Sequence, residues 1–186
     1  MPEDGTPSPI IEVRAVSATF PTETGELHAL KNVSFNINDQ EFICILGPSG
    51  SGKSTLLRVL AGIWPYVRGW DGQHQPLPIS EAVVLPPNSV FIPQRAYFPQ
   101  GSLRNALCYP DTEHTFTDEQ LHEALTLALL PQLASQLDVV GQWNQQLSGG
   151  EAQRLAMARV FLRQPSWVFA DEATSALDEV TEKIIY

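Results

Sequence analysis

The sequence predicts an α/β fold with a small antiparallel sheet near the N-terminus and a helical subdomain at about residues 101–160. Two transitions along the chain indicate this class. The apolar run Glu41–Leu46 leads through a glycine-rich loop into leucines at helical spacing, which begin after Ser54. The apolar run Trp167–Ala170 comes after a helical pattern that begins near Glu151. Continuous apolar runs are typical of strands that are buried on both faces.

Length and charge narrow the possible function classes. The 186 residues suffice for one well-buried domain, which we place at residues 10–186, behind a flexible Pro-rich leader at residues 1–9. The 21 acidic residues exceed the 11 basic ones and give a formal net charge of −10. Because nucleic-acid binding needs clustered Lys and Arg, the composition argues against a nucleic-acid partner.

The cysteines and the apolar segments bear on the compartment. Cys44 and Cys108 offer no framework for disulfides and no signal peptide is present, so a reducing cytosolic setting is the default expectation. Cys44 lies within an apolar run and is expected to be a small buried hydrophobe. No apolar stretch approaches the ~20 residues that span a bilayer, so we expect membrane association to come through a partner or a missing segment.

The pattern of apolar residues also locates the other elements. Strands are predicted at Ile11–Phe20, Val33–Asn38 and Val90–Pro93, with turns, loops and short strands at 21–25 and 65–88. The helix that begins at Ser54 has its apolar face at Leu56, Leu57, Leu60 and Ile63.

Two further helices are predicted in the C-terminal half. Thr117–Gln120 forms a capping box. The helix after it uses Leu121, Leu125 and Leu129 and is ended by Pro131. The last helix runs from about Glu151 to Leu162.

The glycine-rich loop carries the most specific pattern. Residues 47–54 read GPSGSGKS and match G-x-x-x-x-G-K-[ST] at every fixed position. Backbone N–H groups of such a loop bind phosphates at a helix N-terminus, Lys53 adds a charge for the β- and γ-phosphates, and Ser54 places a hydroxyl on Mg²⁺. A flexible Gly/Ser connection is the alternative. The predicted contacts to a nucleoside triphosphate are Gly47, Pro48, Ser49, Gly50, Ser51, Gly52, Lys53, Ser54 and Thr55.

Two carboxylates follow the last apolar strand. Asp171 and Glu172 come directly after Trp167–Ala170, and ligands of open α/β sheets lie at the carboxyl ends of strands. Asp171 is therefore a candidate to hold Mg²⁺ through water, and Glu172 to polarise the attacking water. Without a phosphate loop in the same chain, a plain acidic turn would be the better interpretation.

Residues 147–151 read LSGGE and lead into a helix. A glycine turn at a helix N-terminus predicts a second anion site with Ser148 as hydroxyl donor, although an ordinary N-cap is the alternative. Together with the phosphate loop and the acid pair, this segment resembles the LSGG-E/Q signature of the nucleotide-binding domains of ATP-binding cassette (ABC) transporters. The resemblance covers about residues 10–186 and implies a P-loop NTPase fold with a three-layer core, an N-terminal antiparallel β subdomain and a helical signature subdomain.

The resemblance also implies roles for single residues. Gly47–Thr55 corresponds to the Walker A loop, Asp171 to the Walker B carboxylate and Glu172 to the catalytic base. Gln94, which follows the strand Val90–Pro93, matches the Q-loop glutamine that senses Mg²⁺ and the transmembrane partner. A solvated glutamine at a strand end is the alternative.

Two further positions match the family. Asp178 falls in the D-loop sequence Ser175–Asp178. Phe20 stands where the family carries an aromatic residue, more often Tyr, that stacks on adenine. A core aromatic at a strand end is the alternative for Phe20.

The family works as a head-to-tail pair of domains, so the resemblance implies a shared site. Ser148, Gly149 and Gly150 are expected to contact ATP on a second ABC domain, and the chain alone is expected to have no complete site. A transmembrane domain, fused or separate, is the other implied partner. The expected location is therefore the cytoplasmic face of a membrane, with a bacterial inner membrane as the first choice.

A narrower resemblance lies in residues 91–104, which read FIPQRAYFPQGSLR. This stretch is similar to one of the group that contains peroxisomal fatty-acyl transporters and bacterial relatives linked to peptide or cobalamin uptake. Ala96 replaces the usual Pro of that stretch. Members of the group normally fuse a membrane domain ahead of the cassette, and we expect no such domain within these 186 residues.

The chain departs from the family after Glu172. The family's switch histidine lies roughly thirty residues beyond the catalytic Glu, and this chain ends at Tyr186. We expect a C-terminally truncated domain whose hydrolysis is impaired. Two alternatives to a transport ATPase stay open: a soluble ABC ATPase and a non-hydrolytic nucleotide-binding fragment.

Overall fold

A computed structural model describes residues 9–23, 25–63, 67–70, 76–77 and 79–172. The chain divides into an N-terminal unit, residues 1–91, and a C-terminal unit, residues 92–186. None of the helices in the described ranges combines the length and the apolar character that crossing a membrane requires.

The N-terminal unit is mainly an antiparallel sheet. Its strand order is β2-β1-β3-β4, and β5 also pairs with β1. The elements are β1 (Ile11–Thr22), β2 (Gly25–Ile37), α1 (Lys53–Leu60), β3 (Val67–Trp70), β4 (Pro76–Leu77), α2 (Ile79–Ala82), β5 (Val83–Val84) and β6 (Ser89–Ile92), which ends in the next unit. The sheet confirms the predicted antiparallel β region near the N-terminus.

Apolar and polar residues alternate along β1 and β2, which explains why these two long strands form. Ile11 and Val13 are buried while Arg14 is exposed, and in β2 the predicted face of Val33, Phe35 and Ile37 is more buried than its polar neighbours. The pairing shifts register along β1, and two hydroxyls serve backbone groups there. Ser34 Oγ accepts the N–H of Ala15 at 2.7 Å and Ser17 Oγ accepts that of Asn32 at 3.0 Å. These bonds satisfy N–H groups at the irregular part of the ladder.

The predicted strand Glu41–Leu46 is wrong. The segment has no regular secondary structure, and Phe42 and Leu46 are 82% and 86% exposed. A strand buried on both faces needs neighbours for its N–H and C=O groups and layers over its side chains, and no strand of the described residues pairs with this segment. Cys44 is accordingly exposed, which corrects its expected burial.

Helix α1 follows the glycine loop as predicted but is shorter. It buries Leu56, Val59 and Leu60 and ends before Gly62. Ile63, expected on the same face, is 52% exposed because the backbone has left the helix.

The C-terminal unit is mainly helical around one apolar core. Its elements are β7 (Gly101–Ser102), α3 (Leu103–Cys108), α4 (Asp118–Leu127), a 3₁₀ helix (Pro131–Gln136), β8 (Val140–Gly141), α5 (Trp143–Gln146), α6 (Gly149–Arg163) and β9 (Trp167–Ala170). The short strands β7 and β8 pair antiparallel. The largest fully buried side chains of the core are Phe98, Leu103, Leu107, Leu121, Leu125, Leu130 and Leu155.

Local signals place the helices of this unit well. The capping box Thr117–Gln120 is present with both of its hydrogen bonds, and α4 buries Leu121 and Leu125. Leu129, expected on that face, lies beyond the helix end in a left-handed conformation (φ 58°) and is exposed. Strand β9 lies where the sequence predicts it, but it is buried at Phe169 only, since Val168 is 37% exposed.

Side chains from α6 complete the end of α3. Arg159 donates from Nε and an Nη to the carbonyl of Ala106, at 2.9 and 2.5 Å, and lies 4.6 Å from the ring centroid of Phe98. Arg163 donates to the carbonyls of Cys108 and Tyr109. Because the last carbonyls of a helix have no partner within it, these guanidinium groups tie α3 to α6.

Candidate functional site

The phosphate loop is an exposed turn that ends in helix α1. Residues 47–51 are exposed, and Gly50 and Gly52 have φ values of 81° and 88°. Gly52 is also the N-cap residue of α1, and its carbonyl accepts the N–H of Leu56 at 2.8 Å. A Cβ on Gly52 would lie 2.6 Å from the carbonyl oxygen of Ala29 on β2. Both the left-handed backbone and the close approach to β2 therefore require glycine at position 52.

The side chain of Lys53 folds back over this loop. Its Nζ donates to the carbonyl of Gly47 at 2.5 Å and to that of Pro48 at 2.9 Å. The positive charge is thereby held over the loop by two weak, neutral acceptors. A phosphate oxygen is a stronger acceptor for an ammonium group than a carbonyl, so it can replace either contact.

The other N-terminal candidates are placed as follows. Ser54 and Thr55 lie in the first turn of α1 and are partly buried. Phe20 is partly buried near the end of β1, where it pairs with Leu27 across the sheet. This position is consistent with either interpretation of Phe20, a core aromatic or an adenine platform.

The acid pair belongs to the C-terminal unit. Asp171 is only 3% exposed, and its backbone N–H donates to the carbonyl of Ile92 at 2.9 Å. Glu172 is exposed and has a φ of 51°, in the left-handed region that a residue with a Cβ rarely adopts. Such a conformation persists only where surrounding contacts hold it, and it is common at functional sites.

The structure brings two predicted site residues together. Gln94 Nε2 donates to Glu172 Oε2 at 2.7 Å, across 78 positions of the chain. Gln94 follows β6, and Glu172 follows β9 and Asp171. The amide and the carboxylate that the resemblance assigns to one reaction are therefore neighbours within the C-terminal unit.

Sequence reasoning missed a third member of this group. Gln153 on α6 is 8% exposed, and its Nε2 donates to the backbone carbonyl of Glu172 at 3.3 Å. One signal could have found it. Gln153 lies on one helical face with Met157 and Val160, both buried, so a polar side chain interrupts an apolar stripe.

Ser148 is the N-cap of α6. Its N–H and its hydroxyl donate to Glu151 Oε2 at 2.9 and 2.7 Å, and its Oγ accepts the N–H of Glu151 at 3.3 Å. These bonds from Ser148 lower the pKa of the Glu151 carboxyl, because they favour its charged form. Gly149 and Gly150 are the first two residues of the helix. The N-cap interpretation of Ser148 is thus confirmed, and its anion-binding role stays a prediction.

Three residues were predicted as magnesium ligands: Ser54, Gln94 and Asp171. Within the described ranges, no three His, Cys, Asp or Glu side chains form a metal cluster. Mg²⁺ is usually held by one or two carboxylates together with substrate phosphates and water. The carboxylate of Asp171 and the amide of Gln94 lie in the C-terminal unit, and the hydroxyl of Ser54 lies in the N-terminal unit. Each is a donor type of that kind, and their assignment to one Mg²⁺ stays a prediction. The predicted D-loop residue Asp178 lies outside the described residues.

The chain was compared with known proteins. The family model described as ABC transporter matches residues 30–175. The chain belongs to the ABC transporter family. The resemblance stated from the motifs is therefore confirmed, and so is the P-loop NTPase fold class that it implies.

Individual relatives agree with this family. An uncharacterized ABC transporter ATP-binding protein of Haemophilus influenzae is 38% identical over 84% of this chain and 25% of its own length. The lysosomal cobalamin transporter ABCD4 of Homo sapiens is 35% identical over 92% of this chain and 28% of its own. ATP-binding cassette sub-family D member 1 of Drosophila melanogaster is 39% identical over 77% and 20%. The chain thus spans about a quarter of the length of these relatives, and the narrower resemblance is confirmed as well.

A solved structure agrees with the fold. A bacterial Atm1-family ABC exporter with ATP bound matches 97% of this chain and 32% of its own chain, with a TM-score of 0.74 and 25% identity. The similarity in sequence and the similarity in fold therefore both indicate an ABC protein.

Proposed function

We propose that this chain binds ATP with Mg²⁺ and hydrolyses the ATP to power transport across a membrane, as the nucleotide-binding domain of an ABC transporter. Membership of the ABC transporter family supports the general class. The exporter that matches this fold was solved with ATP bound, which supports ATP as the nucleotide. The phosphate loop and the acid pair supply the residue types that phosphoryl transfer to water requires.

Each group has a role in this proposal. The backbone of Gly47–Thr55 and the ammonium of Lys53 hold the phosphates, and Phe20 stacks on the adenine. Ser54, Gln94 and Asp171 would hold Mg²⁺, which would supply positive charge to offset the charge that develops on the phosphates.

Glu172 accepts a proton from the water that attacks the γ-phosphorus, and ADP leaves. Gln94 orients the carboxylate of Glu172 through their 2.7 Å hydrogen bond. That bond is the single observation that favours hydrolysis over simple binding, because it aligns the proposed base with the proposed Mg²⁺ sensor.

The proposed partners follow from the family. Ser148, Gly149, Gly150 and Asp178 of this chain contact the nucleotide that a second ABC domain, related head to tail, holds in its phosphate loop. A transmembrane domain, fused or separate, carries the cargo across the membrane, and this chain lies against it at the cytoplasmic face. The bacterial relative makes a bacterial inner membrane the first choice. Since a complete site needs a second ABC domain, this chain alone is expected to hydrolyse ATP slowly.

Two substitutions test the proposal together. Lys53→Ala removes the charge over the phosphates and should weaken ATP binding at least about tenfold, measured with a fluorescent ATP analogue. Glu172→Gln keeps the size of the side chain and should leave binding intact while turnover falls roughly a hundredfold or more. Glu123→Gln, an exposed site on α4, is the matched control and should change neither.

The alternatives give different results. A non-hydrolytic nucleotide-binding protein would bind ATP, show no turnover and be unaffected by Glu172→Gln. A soluble ABC ATPase would turn over ATP, but the protein would not be recovered in a complex with a membrane component. If Lys53→Ala leaves ATP binding unchanged, the phosphate loop does not hold the nucleotide and the proposal fails.

A further inference from the structure

Gln153 is a buried amide whose surroundings on α6 are apolar. Its neighbours on the same helix face, Met157 and Val160, are buried hydrophobics, and Gln153 itself is 8% exposed. Burying an amide costs free energy unless hydrogen bonds replace those it makes with water. A methionine or leucine at this position would pack against the same face, so the packing does not explain a glutamine.

One contact of Gln153 is with the backbone of the acid pair. Its Nε2 donates to the carbonyl of Glu172 at 3.3 Å. Glu172 is the residue whose φ of 51° lies in the left-handed region. A strained peptide needs contacts that hold it, and Gln153 supplies one at the carbonyl of this residue.

Three contacts therefore define the position of Glu172. The preceding N–H, that of Asp171, is held by the carbonyl of Ile92 at 2.9 Å. The carboxylate is held by Gln94 at 2.7 Å, and the carbonyl by Gln153. The carboxylate can meet Gln94 only while the backbone keeps its turn, because the left-handed φ directs the side chain.

We propose that Gln153 is a positioning residue that holds the backbone of Glu172 and so couples the signature helix to the proposed catalytic base. This inference rests on the proposed function. Gln153 stands five positions after Ser148, the N-cap of α6, so both belong to the first turns of one helix. A displacement of the helix start, as when Ser148 engages a nucleotide, is thereby transmitted to Glu172. The coupling needs no contact between Ser148 and the acid pair.

The test uses the natural protein with its flanking sequence. Gln153→Met keeps the length and the apolar packing of the side chain but removes the donor. We expect kcat for ATP hydrolysis to fall by roughly tenfold to a hundredfold, because a misplaced base costs rate. The KM for ATP should stay within about twofold, because the phosphate loop is unchanged. Gln153→His, whose neutral imidazole Nε2–H is an uncharged donor of similar reach, should recover part of kcat.

A matched control and a direct probe separate this role from folding. Gln132→Met, at an exposed position of the 3₁₀ helix, should leave kcat and KM unchanged. The ¹³C shift of the Glu172 carbonyl should move in Gln153→Met and not in Gln132→Met, because it reports the lost hydrogen bond directly.

Three results would overturn the proposed role of Gln153. A folded Gln153→Met protein with kcat within twofold of the wild type overturns the proposal, as does an unchanged carbonyl shift. If Gln153→Met and Gln153→His lose kcat equally, the glutamine is only structural and the proposal is also overturned. If the wild type shows no hydrolysis at all, the proposed function fails instead. The carbonyl shift then still reports whether Gln153 holds Glu172.

Discussion

The phosphate loop and the acid pair reach their geometry by different routes. The loop is one continuous segment, Gly47–Thr55, and Lys53 closes it with bonds to carbonyls five and six positions earlier. The acid pair depends on partners from distant segments, since Glu172 is held by Gln94 and Gln153, 78 and 19 positions away. The loop is mostly exposed, whereas Asp171 is buried.

The two regions should therefore be sensitive to different kinds of substitution. A segment that is shaped by its own backbone is most sensitive to changes in that backbone. A region that is assembled from distant segments is sensitive to changes in the helices that carry its partners. Substitutions chosen in each region should therefore differ in what they affect.

The largest effect is expected at Gly52. Gly52→Ala places a Cβ at 2.6 Å from the Ala29 carbonyl on a residue with φ of 88°. Strain in the left-handed region and the backbone clash together should lower the free energy of unfolding by about 2–4 kcal/mol. Nucleotide binding should be lost as well, because the loop cannot keep its shape. Urea unfolding and binding of a fluorescent ATP analogue measure the two effects.

Gly50→Ala is the matched control for the clash. Gly50 has a similar φ of 81°, but nothing lies within 4 Å of a Cβ placed there. Only the backbone strain applies, so its loss should be about 1–2 kcal/mol. Equal losses in the two variants would show that the contact with Ala29 does not matter and that conformation alone requires glycine in the loop.

The same contrast explains what the sequence could predict. The phosphate pattern, the capping box at Thr117 and the strand Trp167–Ala170 all depend on residues that are close together in the chain. The structure has the capping box and the strand where the sequence predicts them. The family resemblance assigned roles to Gln94 and Glu172, but nothing in the sequence predicted the bond between them, since 78 positions separate the two residues.

The predictions that failed concern segments whose structure depends on partners far away in the sequence. Glu41–Leu46 has the composition of a buried strand, but composition does not say which strand will pair with it. Gln153 was overlooked because a polar residue on a helix is usually exposed, and its partner, Glu172, follows a later strand. Both cases concern contacts that depend on the folded chain as a whole.

A middle-sized effect is expected at Arg159, which ties α6 to α3. Burial and the neighbouring Arg163 lower the pKa of this guanidinium to about 10, so its charge is held at a cost that its contacts must offset. Arg159→Lys keeps a positive charge but loses the fork that donates twice to Ala106 and the flat contact with Phe98. We expect a loss of roughly 1–3 kcal/mol in the free energy of unfolding. The fluorescence of the buried Trp143 during urea unfolding measures this loss.

The control for Arg159 lies one turn earlier on the same helix. Arg154 Nε is buried and has no hydrogen-bond partner among the described residues. Arg154→Lys removes this unpaired donor, so it should leave the stability unchanged or raise it slightly. If both substitutions destabilise the protein equally, helix propensity or packing of the long side chains is responsible, and not the bonds to Ala106.

The smallest effect is expected at Glu151, which forms the capping box with Ser148 at the start of α6. Bonds from Ser148 lower the pKa of this carboxyl below its ordinary value of 4.5. The charged form thus contributes stability that is complete above pH 4.5 and is lost as the pH falls through the folded-state pKa. Gln at this position can still close the capping box, so Glu151→Gln should cost only about 0.3–1 kcal/mol at pH 7, through the helix dipole and the lost charge.

The pH dependence of that difference is the decisive measurement. Urea unfolding of the wild type and of Glu151→Gln from pH 7 to pH 4 should show the gap between them narrowing at the acid end. Glu151→Ala, which removes the box itself, should keep a gap at every pH. A constant gap for Glu151→Gln would mean that the carboxylate charge contributes nothing at the helix start. In that case this signature segment, like the acid pair, would depend on the surrounding fold rather than on its own neighbours in sequence.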